Sequence, residues 1–325
     1  MNRLSTNMAL IVSIVVMASV IGIPMASAQD FPTKPIKLVI PSQAGGGHDL
    51  TFRAVTSVAA DYLGQPIVIQ IEPGGLGAIG SDQVSRAKPD GYTLLAGGAG
   101  WSSAAPAVEG RSKGPDDLDA VCRINYTSVM LLTHPNAPWK TFKDLMAWVK
   151  ANPGKLVVGV GTRYIQDDFF WRKLMKDYGI SVKIVPFQGG NAQLVALLGG
   201  HTEMGGASPA QFTPYKGTGK VIPLLWLDTQ RHPMIPDVPT STEAGYPIVS
   251  RNWRGVLAPK GTPAAVVGRL GAAFQKMTES TTVKSMIKMY GEEIQFLGPE
   301  EFSKVWREEY EDLKKNADMF KRKEN

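Results

Sequence analysis

The 325-residue chain has one cysteine, Cys122, and only four histidines. A single cysteine excludes an intrachain disulfide, a cysteine-based zinc finger and a CxxC redox pair. His48, His134, His201 and His232 are scattered, with no HExxH spacing, so no metal site is expected. No phosphate-binding P-loop is present, and no cofactor is expected. Basic residues number 35 against 29 acidic ones, but they are dispersed. The one dense run, Lys321-Arg322-Lys323, reads as a solvated tail, so nucleic acid is not an expected partner. A modest positive field instead favours small anions. Apolar residues make up 43% of the chain and charged residues 20%, enough apolar surface to exclude a disordered protein.

The first segment reads as an address. Residues 1–28 carry one charge, Arg3, followed by an uncharged apolar run from Met8 to Ile23, then Pro24 and Ala26-Ser27-Ala28. This order predicts a signal peptide cleaved after Ala28, and hence a periplasmic protein. The alternative is an uncleaved anchor, but the run is shorter than the roughly 20 residues that span a bilayer. No later stretch approaches about 18 apolar residues, so a soluble exported chain is expected. Without disulfides, its core must hold it together.

Past residue 28, short apolar runs alternate with helical periods, the pattern of an α/β fold with mainly parallel sheets and crossover helices. Strands are expected at Lys37–Ile40, Ile67–Ile71, Tyr92–Ala96, Ala120–Tyr126, Val129–Thr133, Leu156–Val160, Ile184–Phe187 and Leu224–Leu227. Helices are expected at Asp49–Leu63 (stopped by Gly64), Thr141–Ala151 (opened by Thr141 and Asp144), Asp167–Tyr178 and Gly190–Leu198. The end of the chain reads as helical over Pro263–Glu279, Val283–Tyr290 and Pro299–Met319. This number of elements suits two lobes, residues 29–129 with 251–325 and residues 130–250, with crossings near Met130 and Ser250.

Two junctions carry chemistry. In Pro41-Ser42-Gln43-Ala44-Gly45-Gly46-Gly47-His48-Asp49, a glycine turn joins a strand to a helix. Glycines allow close backbone approach, and the free N–H groups and positive end of the helix point to the same place. That combination makes an anion cradle; a turn that needs glycine for sterics alone is the competing reading. Pro186-Phe187-Gln188-Gly189-Gly190-Asn191 repeats the arrangement in the other lobe. Two such starts facing one cleft would hold a carboxylate from both sides.

Other signals fail. Gly75-Leu76-Gly77-Ala78-Ile79-Gly80 matches GxGxxG but lacks the later acidic residue, so it reads as a structural turn. Gly100-Trp101-Ser102-Ser103-Ala104 resembles a degraded nucleophile elbow, yet no histidine follows His232. An exported serine hydrolase using Ser102 is therefore the alternative function. Asp167-Asp168 and Glu308-Glu309 read as solvated helix pairs. Cys122 reads as a buried small hydrophobe.

Taken in order, further segments resemble a known family: Phe31-Pro32-Thr33-Lys34-Pro35-Ile36, the turn ending at Asp49, Leu63-Gly64-Gln65-Pro66, Glu72-Pro73-Gly74-Gly75, Lys88-Pro89-Asp90-Gly91-Tyr92, Pro186 to Gly190, Pro236-Asp237-Val238-Pro239-Thr240 and Leu257-Ala258-Pro259-Lys260-Gly261-Thr262-Pro263. The chain resembles the tripartite tricarboxylate transporter substrate-binding proteins, also called Bug receptors. The resemblance implies a periplasmic-binding-protein-like fold of two α/β lobes. It implies a non-enzymatic receptor that closes on a small carboxylate and delivers it to membrane transporter subunits or a sensor kinase domain. A monomer is expected.

Carried over, the ligand contacts are Gln43, Ala44, Gly45, Gly46, Gly47, His48 and Asp49 in one lobe and Phe187, Gln188, Gly189, Gly190 and Asn191 in the other. Gly98, Ala99, Trp101, Thr162, Arg163 and Ser208 would line the rest. Asp49 reads as a helix N-cap, with a ligand contact as its second role. His48 is a turn residue or a pH-dependent carboxylate partner. Arg163 is exposed, or clamps a distal carboxylate. Trp101 and Tyr164 stack on an aromatic acid or simply pack their loops. The chain departs from the family at His48, after Gly161 and over Gly110–Asp117, so the ligand's identity does not carry over.

Overall fold

Among the described residues, short apolar runs become ten strands in two five-stranded sheets. The computed structural model describes residues 31–320 apart from 162 and 165; the expected signal peptide lies outside the described residues. The first sheet has the order β2(Ile67–Ile71)-β1(Ile36–Ile40)-β3(Thr93–Gly98)-β10(Arg251–Pro259)-β4(Leu118–Ser128). The second has the order β7(Lys183–Pro186)-β6(Val157–Val160)-β8(Met204–Ala207)-β5(Met130–Thr133)-β9(Ile222–Trp226). Both sheets are mixed rather than mainly parallel in their pairing. β1 pairs in parallel with β2 and β3, and β6 with β7 and β8. β10 is antiparallel to both its neighbours, and so is β5. The reversed strands are those that enter each sheet from the other one: β5 follows β4 after Val129, and β10 follows the second sheet after Ser250. The Ser128 hydroxyl lies 2.7 Å from the Leu227 carbonyl and 2.8 Å from that of Ser250, which ties the two crossings together.

β5 shows why its sequence is continuously apolar. Leu131 faces one core with Phe142, Leu145, Phe170 and Trp171. Met130 and Leu132 face the opposite core with Leu194, Leu197, Phe212 and Trp226. A strand covered on both faces needs apolar residues at every position, despite its period of two.

Several expectations change at element ends. The helix expected over Asp49–Leu63 is two helices, Gly47–Thr56 and Ala59–Leu63. Thr56 and Ser57 turn their hydroxyls back to the carbonyls of Phe52 (2.7 Å) and Ala54 (2.8 Å), and the helix ends there. Gly64 does cap the second piece, at φ 70°. Thr141 and Asp144 form the full reciprocal capping box, with both bonds at 3.1 Å. Strand β8 went unexpected because its Gly205-Gly206 pair weakens a strand pattern. β10 went unexpected because Asn252 and Arg254 interrupt its apolar run. The acidic pair Asp167-Asp168 is buried, not solvated. Glu308 is exposed, but Glu309 is half-buried and accepts a 3.0 Å bond from Trp253 Nε1. Cys122 is fully buried, and burial pushes its thiol up, so it stays protonated.

Trp171 has no exposed surface and packs edge-on against Phe170. Replacing Trp171 with Ala should cost about 3–5 kcal/mol. A urea unfolding midpoint within error of wild type would show that this core does not support the second sheet.

Candidate functional site

Strand β1 ends at Ile40, and Pro41 turns the chain. Gly45 takes φ 75°, a conformation glycine adopts without strain. Its N–H donates to Asp49 Oδ2 at 2.8 Å, and Arg53 Nε pairs with Oδ1 at 2.7 Å. Asp49 is thus not the N-cap. It sits inside the first helical turn and folds the glycine bend from behind. The N-cap is Gly46, and no side chain caps the Gly47–Thr56 helix. Its first N–H groups therefore meet no side-chain cap at the positive end of the dipole.

The second junction is built the same way. The N–H groups of Phe187 and Gly189 bond the carbonyls of Val160 (2.8 Å) and Gly161 (2.7 Å), which pins the turn to β6. Gly189 stands at φ 104°, and the Gly190–Leu198 helix starts with no side-chain cap.

These two bends face each other. A Cβ at Gly45 would lie 3.4 Å from Asn191 Nδ2, and one at Gly47 would lie 3.4 Å from Ser208 Oγ. Between them is a cavity of about 90 Å³ that both helix starts line. A water needs roughly 10–15 Å³ by this measure, so a small anion or several waters fit. Asn191, Gln211 and Ser208 are locked together on one wall: Gln211 Nε2 donates to Asn191 Oδ1 (2.9 Å), and Gln211 Oε1 accepts from the Ser208 N–H (3.1 Å). A second chamber of about 250 Å³ adjoins, sharing Ser42, Gln43, Trp101, Gln188 and Gly189 and adding Pro41, Pro73, Leu76 and Phe187.

The floor is Arg254, on β10. It is 2% exposed and forms a two-toothed pair with Glu292, with Nη2 at 3.1 Å from Oε1. Asn125 Nδ2 donates to Glu292 Oε2 at 2.9 Å and completes the cluster. His48 lies close by, with its ring 4.3 Å from the Trp101 ring. Burial, reinforced by the Arg254 charge, holds His48 well below its ordinary value, so the imidazole is neutral at pH 7. Asp167, at the start of the Gln166–Tyr178 helix, also lines the cavity. Burial pushes it up to about 7, and the nearby Asp168 charge adds to the push.

Of the expected residues, the cavity brings together Gln43, Gly46, Gly47, His48, Trp101, Gln188, Gly189, Gly190, Asn191 and Ser208. Phe187 lines only the adjoining chamber. Ala44, Gly45 and Asp49 stand behind the lining. Gly98 presses on His48 from below, where a Cβ would come within 2.5 Å of Nε2. Ala99 and Tyr164 line a different surface pocket, beside Glu309. Thr162 lies outside the described residues. Arg163 is not a clamp in this cavity: it points to Glu109, 3.9 Å away, beside the Tyr164 ring. Tyr164 is buried against Phe320 and hydrogen-bonded to Glu109, so it is a packing residue. The Ser102 hydroxyl is buried without a hydrogen-bond partner. Among the described residues no base hydrogen-bonds to it, and the hydrolase alternative falls.

Asn252, Arg254, Gln193, Gln211 and Asp167 were missed. The one available signal was a pair of polar residues, Asn252 and Arg254, inside a run ending Val256-Leu257-Ala258.

The sequence pattern of the family described as "Tripartite tricarboxylate transporter family receptor" matches residues 51–318. Protein BugT of Bordetella pertussis is 29% identical over 86% of this chain and 86% of its own. A solved structure titled "Structure of a periplasmic transporter" superposes with a TM-score of 0.82 at 29% identity, covering 89% of this chain and 97% of that one. MatC of Rhodopseudomonas palustris, solved with bound malate, gives a TM-score of 0.79 at 28% identity, covering 88% and 100%.

Of the glycines that open the two helices, Gly47 and Gly190 have the least room. A Cβ would approach Arg254 Nη2 to 2.4 Å at Gly47 and Gln211 Nε2 to 2.5 Å at Gly190, whereas Gly46 has room, its nearest atom being 3.5 Å away. Gly47→Ala and Gly190→Ala should each lower the melting temperature by several degrees and Gly46→Ala by far less; equal effects would contradict this packing. Glu292→Ala leaves a buried guanidinium without its counter-charge and should cost about 3–5 kcal/mol. Chemical denaturation at pH 7 measures it, and a loss below about 1 kcal/mol would mean that Arg254 reaches solvent.

Proposed function

Since the chain belongs to the tripartite tricarboxylate transporter receptor family, we propose that it is a periplasmic solute receptor for a small organic acid, which it binds without chemical change. The observation that carries this reading is the pair of uncapped, glycine-led helix starts lining one cavity from two sheets. Each free helix end favours a negative group by about 0.3–2 kcal/mol, and a dry cavity strengthens the attraction. Arg254 is already balanced by Glu292, so backbone donors and the amides of Asn191 and Gln211 do most of the anion binding. The adjoining chamber takes the remainder of the ligand.

The lobes of this reading are residues 29–129 with 251–325 and residues 130–250. They close on the acid because it touches both, which shifts the population to the closed form. The closed form then meets membrane transporter subunits or a sensor domain. Export after cleavage at Ala28 belongs to the same reading. Among the described residues, no helix is long and apolar enough to cross a membrane.

A thermal-shift screen over mono-, di-, tri- and aromatic carboxylates tests the reading. A ligand at a hundredfold its Kd adds about 2.7 kcal/mol, and the melting temperature should rise by several degrees. Calorimetry should give one site per chain. A flat response across all carboxylates would overturn it.

A further inference from the structure

The cavity wall holds one carboxyl group with no cation beside it. Asp167 is 3% exposed and lines the cavity. Its Oδ2 accepts from Gln193 Nε2, which also donates to the Gly159 carbonyl at 2.9 Å. Its Oδ1 accepts from the Asp168 N–H at 3.1 Å. These partners are neutral. Facing it, Gly206 must lack a side chain, because a Cβ there would stand 2.6 Å from Oδ2.

The neighbouring charges are otherwise accounted for. Asp168, on the same helix, is paired with Arg172 at 2.8 Å. Arg163, on the preceding loop, pairs with Glu109. Arg254 is paired with Glu292, and His48 is neutral. The β8 strand and the Gly190–Leu198 helix bring Gly206 and Gln193, which carry no charge. The cavity therefore offers backbone donors that suit an anion and one side-chain carboxyl that lacks a cation. A bare anion would place a second negative group in about 90 Å³ or force Asp167 to keep its proton.

We propose that Asp167 receives the ammonium group of a zwitterionic ligand, an amino-acid-like carboxylate whose acid group lies on the Gly47 and Gly190 helix starts. The inference rests on the receptor reading above and narrows its ligand class. Because burial pushes the Asp167 carboxyl up to about 7, each kind of ligand tips it a different way. An ammonium group needs it ionised and binds more weakly as the pH falls from 8 to 6. A bare carboxylate needs it protonated and binds more tightly over the same interval.

The test is calorimetry with the full chain at pH 8 and pH 6, using matched probes with and without the amino group: propionate and alanine, succinate and aspartate, glutarate and glutamate, phenylpropionate and phenylalanine. In at least one pair, the amino acid should bind about tenfold or more tightly than its partner at pH 8, the scale of a hydrogen bond to a charged group. Asp167→Asn keeps an oxygen for Gln193 and should erase that preference without weakening the bare carboxylate. Bare carboxylates that bind as tightly as every amino partner at pH 8 overturn the inference but leave the receptor reading standing. An unchanged ranking in a folded Asp167→Asn protein does the same. If the matching 2-hydroxy acids bind best, the ammonium assignment is wrong. If no probe and no other carboxylate binds, both readings fall together.

Discussion

Two helix beginnings without side-chain caps face one another across a narrow gap, and much of the architecture serves to keep them apart from other partners. An orphan N–H left inside a protein is costly unless something accepts from it. Ordinary helices solve this with a hydroxyl or carboxylate side-chain cap, as Thr141 does for the Phe142–Ala151 helix. Here Gly46 and Gly189 occupy the cap positions and supply no oxygen. Asp49, which is chemically able to cap, instead binds Gly45 from behind. The donors thus lack a side-chain acceptor, which is what the receptor reading proposed above requires.

The pedestal beneath them is electrostatic. Arg254 and Glu292 are buried and paired through both Nη atoms, with Asn125 holding the carboxylate from a third direction, while Arg254 Nε has no hydrogen-bond partner. Removing either partner leaves a bare charge, so the pair acts as a fixed unit. It presses on Gly47, which leaves no room there for a side chain, and the Arg254 charge adds to the burial that keeps the His48 imidazole neutral. Among the described lining residues the one cation, Arg254, is already paired, so under the receptor reading proposed above anion affinity comes from dipoles aimed inward. Selectivity then falls to whatever else the wall presents, of which the Asp167 carboxyl is the most unusual group.

Both bends were legible in the chain because they are local. Strand, proline, glycines and helix follow one another within ten or so residues, and each residue type has its own backbone reason to be there. The buried runs, the Gly64 stop and the Thr141–Asp144 box were readable for the same cause. Arg163 misled because it follows Gly161 in sequence, yet nearness along a chain says nothing of direction, and it swings to Glu109. Asp167-Asp168 misled because adjacent helix residues diverge, which leaves open that both end up buried. Each found a different partner, Gln193 for one and Arg172 for the other.

The amino-acid order by itself determined the two α/β halves, the glycine-led helix starts and the exclusion of disulfide or cysteine-zinc chemistry. These follow from short-range rules of backbone freedom, periodicity and residue type. Tertiary structure alone decided that the starts would look at each other, that β10 would carry Arg254 beneath them, and that Asp167 would face the cavity without a counter-ion. Those facts depend on pairings between residues far apart in sequence, such as Arg254 with Glu292 and Gly45 beside Asn191. Only the closing of both sheets through the Val129 and Ser250 crossings brings such residues within reach.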